Sequence, residues 1–293
     1  MAAELKQGIV VKTLGGYFFV ADKNRDILQL DIRGRIQDDV YPGDYVRFCC
    51  EQEIIEELLP RKNLLPRPRV ANIEQILIVH SFYKPRFDSR LLDRFILMVE
   101  AAGLKPVLVL NKCDLLSSET NQKEIVLRYK EIGYPVFIIS VKKEINIDKL
   151  HSFIKDNVNV LTGPSGTGKS SLINQLVPDA GLKIKPVSQS LNRGVHTTRH
   201  VELLPLEEKG WLADTPGFSS LEFSNISVRE LPFLFPEFQQ YLNDCRFNMC
   251  SHTHEPGCAI KEAVNDNRIY DMRYQSYQKF FEELKLKEEK KYD

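Results

Sequence analysis

The sequence predicts a multi-domain chain: an all-β, OB-like barrel over residues 1–68, a central α/β domain over 69–222 built on a phosphate-binding loop, and a mostly α-helical, metal-binding unit over 223–293. Three observations predict it. Turn signals cut the first sixty residues into short strands. From about residue 70, apolar runs of strand length alternate with helical stretches. Three cysteines and a histidine then crowd into one short C-terminal segment. At 293 residues and 43% hydrophobic, the chain is long enough to bury more than one core.

In the first part the turns fall at Gly15-Gly16, Asn24-Arg25-Asp26, Arg33-Gly34 and Pro42-Gly43-Asp44. Leu28, Leu30 and Ile32 alternate with polar neighbours, as a half-buried strand requires. Several such strands in about fifty residues fit a small barrel of the OB type. The basic, proline-punctuated run Arg61 to Arg69 reads as a solvated linker, with phosphate contact as the alternative.

In the second part the runs at 76–79, 107–110, 136–139, 158–161 and 211–213 read as buried parallel strands. Helical stretches near 89–102, 120–132 and 147–155 lie between them. In the third part Tyr270, Tyr274, Tyr277, Phe281 and Leu284 recur on one face of a helix from about 268 to 288, as a packing face does.

The chemistry is written in the loops. Gly163-Pro164-Ser165-Gly166-Thr167-Gly168-Lys169-Ser170 has the full Walker A spacing, after an apolar strand and before a helical run beginning at Ser171. Its glycines let the backbone wrap phosphates at a helix N-terminus. Lys169 reaches the β and γ phosphates, and Ser170 supplies a hydroxyl for Mg²⁺. The whole segment from Gly163 through Ser171 is expected to contact the nucleotide.

Asn111-Lys112-Cys113-Asp114 ends another apolar strand. A carboxylate at Asp114 accepts from the N1–H and the amino group of guanine together, a pair that adenine does not present. Asn111 can tether the loop and approach the base at N7, while the stem of Lys112 covers the ring. Ser140-Val141-Lys142 fits the second guanine loop, with the Val141 N–H facing the base oxygen. Asp214-Thr215-Pro216-Gly217 has the form of a second switch, Asp214 for the Mg²⁺ shell and the Gly217 N–H for the γ phosphate. In Gly194 to His200 either Thr197 or Thr198 serves the first switch, with Thr198 preferred.

Phe218 stands where many GTPases place a water-orienting Gln. His196 is the nearest group able to orient water, or else it supports the switch loop or a partner contact. Lys169, Thr198 and His196 are the expected catalytic residues. The motifs run in permuted order, with the guanine loops ahead of the phosphate loop and the switches. The reading is a GTPase that turns GTP into GDP with Mg²⁺. Asp114 argues against an ATPase; a GTP-sensing module with incidental turnover, or a GTPase acting on another RNA such as tRNA, remains an alternative.

Cys245, Cys250, His252 and Cys258 offer three thiolates and an imidazole within fourteen residues, a donor set for one structural Zn²⁺. His254 is the substitute for His252. Cys49, Cys50 and Cys113 read as packing residues. Lys plus Arg and Asp plus Glu both total 40, so nucleic-acid contact must come from local patches. No apolar run approaches the roughly 20 residues of a membrane span. The N-terminus lacks the apolar core of a signal peptide, which predicts a cytoplasmic protein.

The motif order, together with Asn63-Leu64-Leu65-Pro66-Arg67-Pro68, Ala71-Asn72-Ile73-Glu74-Gln75, His196-Thr197-Thr198 and Asp214 to Phe218, resembles the bacterial ribosome small-subunit-dependent GTPase A (RsgA) family over nearly the whole chain. The resemblance implies an OB-fold, a permuted GTPase domain and a zinc domain. It also implies a late role in assembly of the small (30S) ribosomal subunit, hydrolysis stimulated by that subunit and coupled to release, and contact with its rRNA. A monomer fits such a factor. Val195 stands where many relatives carry Arg, which puts a role for that cation in doubt. Lys183, Lys185, Arg193 and Arg199 keep the segment basic.

Overall fold

In the computed structural model the described residues are 4–66, 68–116, 122–178, 201–207, 209–214, 223 and 226–290. The first five strands are β1 (Leu5–Leu14), β2 (Tyr17–Ala21), β3 (Ile27–Ile32), β4 (Tyr45–Cys49) and β5 (Ile54–Leu58). They close a barrel in the order β1-β2-β3-β5-β4-β1, with β3 and β5 parallel. A register shift between Val10 and Lys12 bends β1, so its first half pairs with β4 and its second with β2. Val10, Val20, Leu30, Val46, Phe48 and Ile55 fill the interior.

The run 61–69 is not a solvated linker. Leu64–Pro66 (β6) and Arg69–Ala71 (β7) form a hairpin with Leu65 buried. Arg61 donates through Nε and Nη2 to the two carboxylate oxygens of fully buried Asp44 at 2.6 and 2.7 Å. Asn72 clamps the hairpin to the barrel by donating to Gly43 O at 2.8 Å. Buried ion pairs across a chain separation have no local sequence pattern, and this one was hidden for that reason.

The central sheet comprises β8 (Gln75–Ser81), β9 (Lys105–Asn111), β10 (Val136–Ile138), β11 (Val158–Thr162), β12 (Glu202–Pro205) and β13 (Trp211–Asp214). Its order is β10-β9-β8-β11-β13-β12, parallel except for β12. All five predicted strands are present, and β12, too short and mixed to be seen, is added. Every residue of β8 is buried because both faces are covered. Ile76 and Ile78 pack toward α1 (Ser89–Ala101) and α2 (Gln122–Ile132), while Leu77 and Val79 pack toward α3 (Ile147–Ile154) and α4 (Lys169–Leu176). β12 also pairs with β1 at Lys12 and Glu202, which joins barrel and central sheet into one eleven-stranded sheet. Beside that joint Arg25 donates to Leu206 O and lies 5.4 Å from the centre of the Trp211 ring.

The C-terminal part holds 3₁₀ turns at Leu231–Leu234 and Pro236–Asp244, then α5 (Ala259–Asn265) and α6 (Asp271–Glu289). Tyr274, Tyr277, Phe280 and Leu284 of α6 are buried against Phe235, Phe238 and, from α1, Leu97 and Met98. The predicted stripe is therefore a packing face, with Phe280 taking the fully buried place and Phe281 half-buried. Arg273 lies on the same helix at 1% exposure. It donates to Asp93 of α1 at 2.6 Å and to Glu237 at 2.7 Å, while Tyr129 of α2 donates to Asp93 at 2.8 Å. Burial alone would lower the Arg273 pKa; the two carboxylates outweigh it and hold the guanidinium charged.

Candidate functional site

The site lies at the carboxyl ends of the parallel strands, where loops gather beyond a sheet of this kind. β11 runs into the phosphate loop and α4 follows it. Gly163 has φ +134°, and a Cβ there would lie 2.0 Å from Val79 O; Gly168 has φ +98°, and its Cβ would lie 2.4 Å from Asn111 Nδ2. Glycine is required at both places by conformation and by contact. Gly163→Ala is expected to weaken GTP and GDP binding by more than about tenfold, since the loop must open to admit the methyl group. Nucleotide titration of the folded variant checks this; parental affinity would show that the loop yields.

Asn111 is the hub of the site. Its Nδ2 donates to Thr167 O at 3.0 Å, and its Oδ1 accepts from Lys112 N at 2.8 Å and Val141 N at 3.1 Å. One buried amide thus ties the phosphate loop, the first guanine loop and the second guanine loop together. The Val141 N–H, expected to face the base, is engaged by Asn111.

Lys112 adopts a left-handed conformation, φ 65°. Its Nζ donates to Gly166 O at 2.7 Å and to Lys84 O, so the side chain spans from the guanine loop to the phosphate loop. Burial lowers its pKa. The contact from the 81–85 loop was missed in the sequence, since it is made by a backbone carbonyl. Ser140 Oγ donates to Asp114 Oδ1 at 2.5 Å and accepts from Lys143 N at 3.1 Å. That bond aims the Asp114 carboxylate; Lys142 is exposed beside it.

Lys169 is half-buried and donates to Gly163 O at 2.8 Å and Pro164 O at 2.7 Å; burial lowers its pKa. Thr167 Oγ1 donates to Pro164 O at 3.0 Å and rigidifies the turn. Ser165 and Ser170 are exposed, and Ser171 is half-buried. Asp214 ends β13, whose parallel register with β11 brings it to the same edge as the phosphate loop. His196, Thr197, Thr198, Gly217 and Phe218 lie outside the described residues, as do Lys183, Lys185, Arg193, Val195 and Arg199.

The second cluster lies in the C-terminal part. One donor atom each from Cys245, Cys250, His252 and Cys258 lies within 4.8 Å of the others. His252 Nδ1 is 3.5 Å from both Cys245 Sγ and Cys258 Sγ. His254 is exposed, its Nδ1 3.0 Å from Thr253 Oγ1, and stands outside the cluster. Tyr274 and Tyr277 donate to His252 O and Ser251 O at 2.8 and 2.7 Å, which fixes the loop on α6. Burial pushes the Cys250 thiol up to about 12 and lowers His252. A cation favours the thiolates that burial disfavours, so the donor set and its spacing fit a metal.

A phosphate loop cross-tied to a guanine loop that precedes it in the chain, on a sheet otherwise ordered like a P-loop domain, defines a circularly permuted GTPase. The sequence model for the RsgA GTPase matches residues 58–224. The chain belongs to the RsgA GTPase family. A protein of Geobacillus sp. (strain WCH70) named small ribosomal subunit biogenesis GTPase RsgA is 40% identical over 289 residues, covering 96% of this chain and 98% of its own. Its namesake from Shouchella clausii (strain KSM-K16) is 41% identical over 290 residues, with 96% and 98% covered. Among solved structures, YloQ, described as a circularly permuted GTPase, superposes with TM-score 0.81 at 32% identity over 97% of this chain and 96% of that one. YjeQ from Thermotoga maritima gives 0.82 at 33% identity, with 96% and 99% covered.

Proposed function

We propose that this GTPase binds the small ribosomal subunit, assists its late maturation and leaves when GTP is hydrolysed. The observation that carries the nucleotide half is the Asn111 hub, because it places the guanine-reading carboxylate and the phosphate loop in fixed register. The partner is supported by the relatives, which are named for small-subunit biogenesis. The working units are 1–68, 69–222 and 223–293, the first and third offering surfaces to rRNA. The protein acts in the cytoplasm as a monomer and does not engage a membrane; no helix among the described residues is long and apolar enough to cross one.

In this reading Asp114 holds the base, and Gly163 through Ser171 enclose the phosphates. Lys169 exchanges its two carbonyl partners for β and γ oxygens. The exposed Ser170 hydroxyl makes no hydrogen bond among the described residues. With Thr198, and with Asp214 at the neighbouring strand end, it would hold Mg²⁺, which supplies charge neutralisation at the phosphate oxygens. Thr198, or Thr197 in its place, and the Gly217 N–H would meet the γ phosphate, and His196 would orient the attacking water. Phe218 cannot do so, and the unaided rate is slow for that reason. Cys245, Cys250, His252 and Cys258 would hold Zn²⁺, which crosslinks the loop that carries them.

The test is GTP turnover alone and with purified small subunits, with large subunits and free tRNA as controls. A rise specific to small subunits is expected. A flat rate beside tight, GTP-dependent subunit binding would turn the protein into a nucleotide-gated binding module, and stimulation by tRNA alone would overturn the partner.

A further inference from the structure

Beside the cysteine cluster lies a cavity of about 430 Å³, the size of a small-ligand cleft. Its walls carry side chains that folding leaves unused. Phe233, Phe247 and Met249 line it at 61, 45 and 82% exposure, far above what a packing role requires. Asn243 and Asn248 line it as well, and their amides make no hydrogen bond among the described residues. Arg229, also in the wall, has no carboxylate partner among the described residues, and Arg246, next in the chain to the lining residue Phe247, carries its guanidinium 5.6 Å from the centre of the Phe247 ring.

Among the described residues no carboxylate lines the cavity. Two of the nearby acids are engaged elsewhere: Glu230 accepts from Ser227, and Glu288 accepts from Val228 N. The floor is rigid, because Tyr277 is fully buried and bonded to Ser251 O. The site is therefore an apolar slot with aromatic faces, two amides able both to donate and to accept, and a cationic rim.

We infer that this cleft receives one unpaired nucleotide of an RNA strand, its base against Phe233 and Phe247 and its edge read by Asn243 and Asn248. Stacking on aromatic rings with hydrogen bonds to an exposed base edge is how proteins take single-stranded RNA. Arg229 and Arg246 then meet the flanking phosphates. An apolar peptide side chain would fill the slot but make no use of the two amides or the Arg229 guanidinium in its wall. A base uses both halves of the site. The inference rests on the proposed rRNA partnership for its biological strand, though the chemistry of the cleft stands apart from it.

The experiment uses the full chain with its metal, GTP and Mg²⁺, and compares the parent with Phe233→Ala/Phe247→Ala and with Asn243→Ala/Asn248→Ala. The probes are oligoadenylate and oligouridylate of about ten nucleotides and a duplex of the same length. The aromatic variant should bind the single strands about tenfold more weakly or worse, and the amide variant should lose discrimination between the two. Duplex binding, zinc content and GTP affinity should not move, which separates the effect from unfolding. Parental affinity of the aromatic variant for single strands overturns the inference. A photoreactive benzoyl group at position 247 then reports on small subunits: an rRNA adduct supports the inference, and an adduct with a ribosomal protein overturns it in favour of a peptide-binding cleft. Failure of the parent to sediment with small subunits would instead sink the proposed partner, and the oligonucleotide arm would still decide the cleft.

Discussion

Replacing Arg273 by Met is expected to destabilise the C-terminal part by about 3–5 kcal/mol, the usual result of stripping one partner from a buried ionic cluster. The substitution keeps most of the side-chain volume, so the loss is electrostatic. Asp93, with no exposed surface, and Glu237 would then face an apolar interior of Phe235 and Tyr129 without their cation. The hydrogen bond from Tyr129 is too little compensation for a buried carboxylate. The same physics predicts recovery. When Asp93→Leu and Glu237→Leu are added to Arg273→Met, most of the stability should return, because a buried cluster gains little over apolar packing of similar volume. Thermal and urea unfolding followed through C-terminal probes, with the single, double and triple variants, measures both halves. A single variant that melts with the parent would mean that water reaches the cluster and that it adds little to the joint between the two parts.

Asp114→Asn is expected to reduce GTP affinity on the order of 100-fold, from the loss of a charge-assisted double hydrogen bond. The amide would still accept from N1–H, but its NH₂ would confront the amino group of guanine donor to donor. Xanthine carries an oxygen at that position, so the variant should now prefer xanthosine triphosphate. Ser140 Oγ can still donate to the side-chain oxygen, which keeps the loop in place. Competition between the two nucleotides measures the exchange. An unchanged preference for GTP would show that Asp114 does not read the base, and the guanine assignment would fall with it.

The parts of this molecule that follow a local rule are legible in its sequence. Gly163 to Ser170 carries its own spacing, and the apolar runs of β8, β9 and β11 announce strands buried on both faces. Tyr274, Tyr277 and Leu284 mark the inner face of α6 by period alone. The unseen parts depend on residues far apart in the chain. Arg61 reads as one more linker cation until Asp44 closes on it, and Arg273 reads as a surface residue until Asp93, 180 positions away, is found beneath it. Lys84 meets Lys112 through its carbonyl, about which a side chain says nothing. β12 has four residues and is a strand only because β13 and β1 flank it.

The barrel is gripped at two separated places, by Arg61 and Asn72 at its 39–44 loop and by β12 and Arg25 at its β1 side. The first grip is a buried ion pair and a hydrogen-bonded hairpin; the second is a single rung of strand pairing with a partly exposed Lys12–Glu202 contact and the Arg25 bond to Leu206 O. A body held so has one stiff bearing and one soft one. Any tilt therefore pivots at the hairpin and spends its travel at the β1 side, next to the strand that leads toward Asp214. The soft bearing is the rung at Lys12 and Glu202, and Glu202 pairs in turn with Asp214, so the barrel and the candidate site share one strand-to-strand joint.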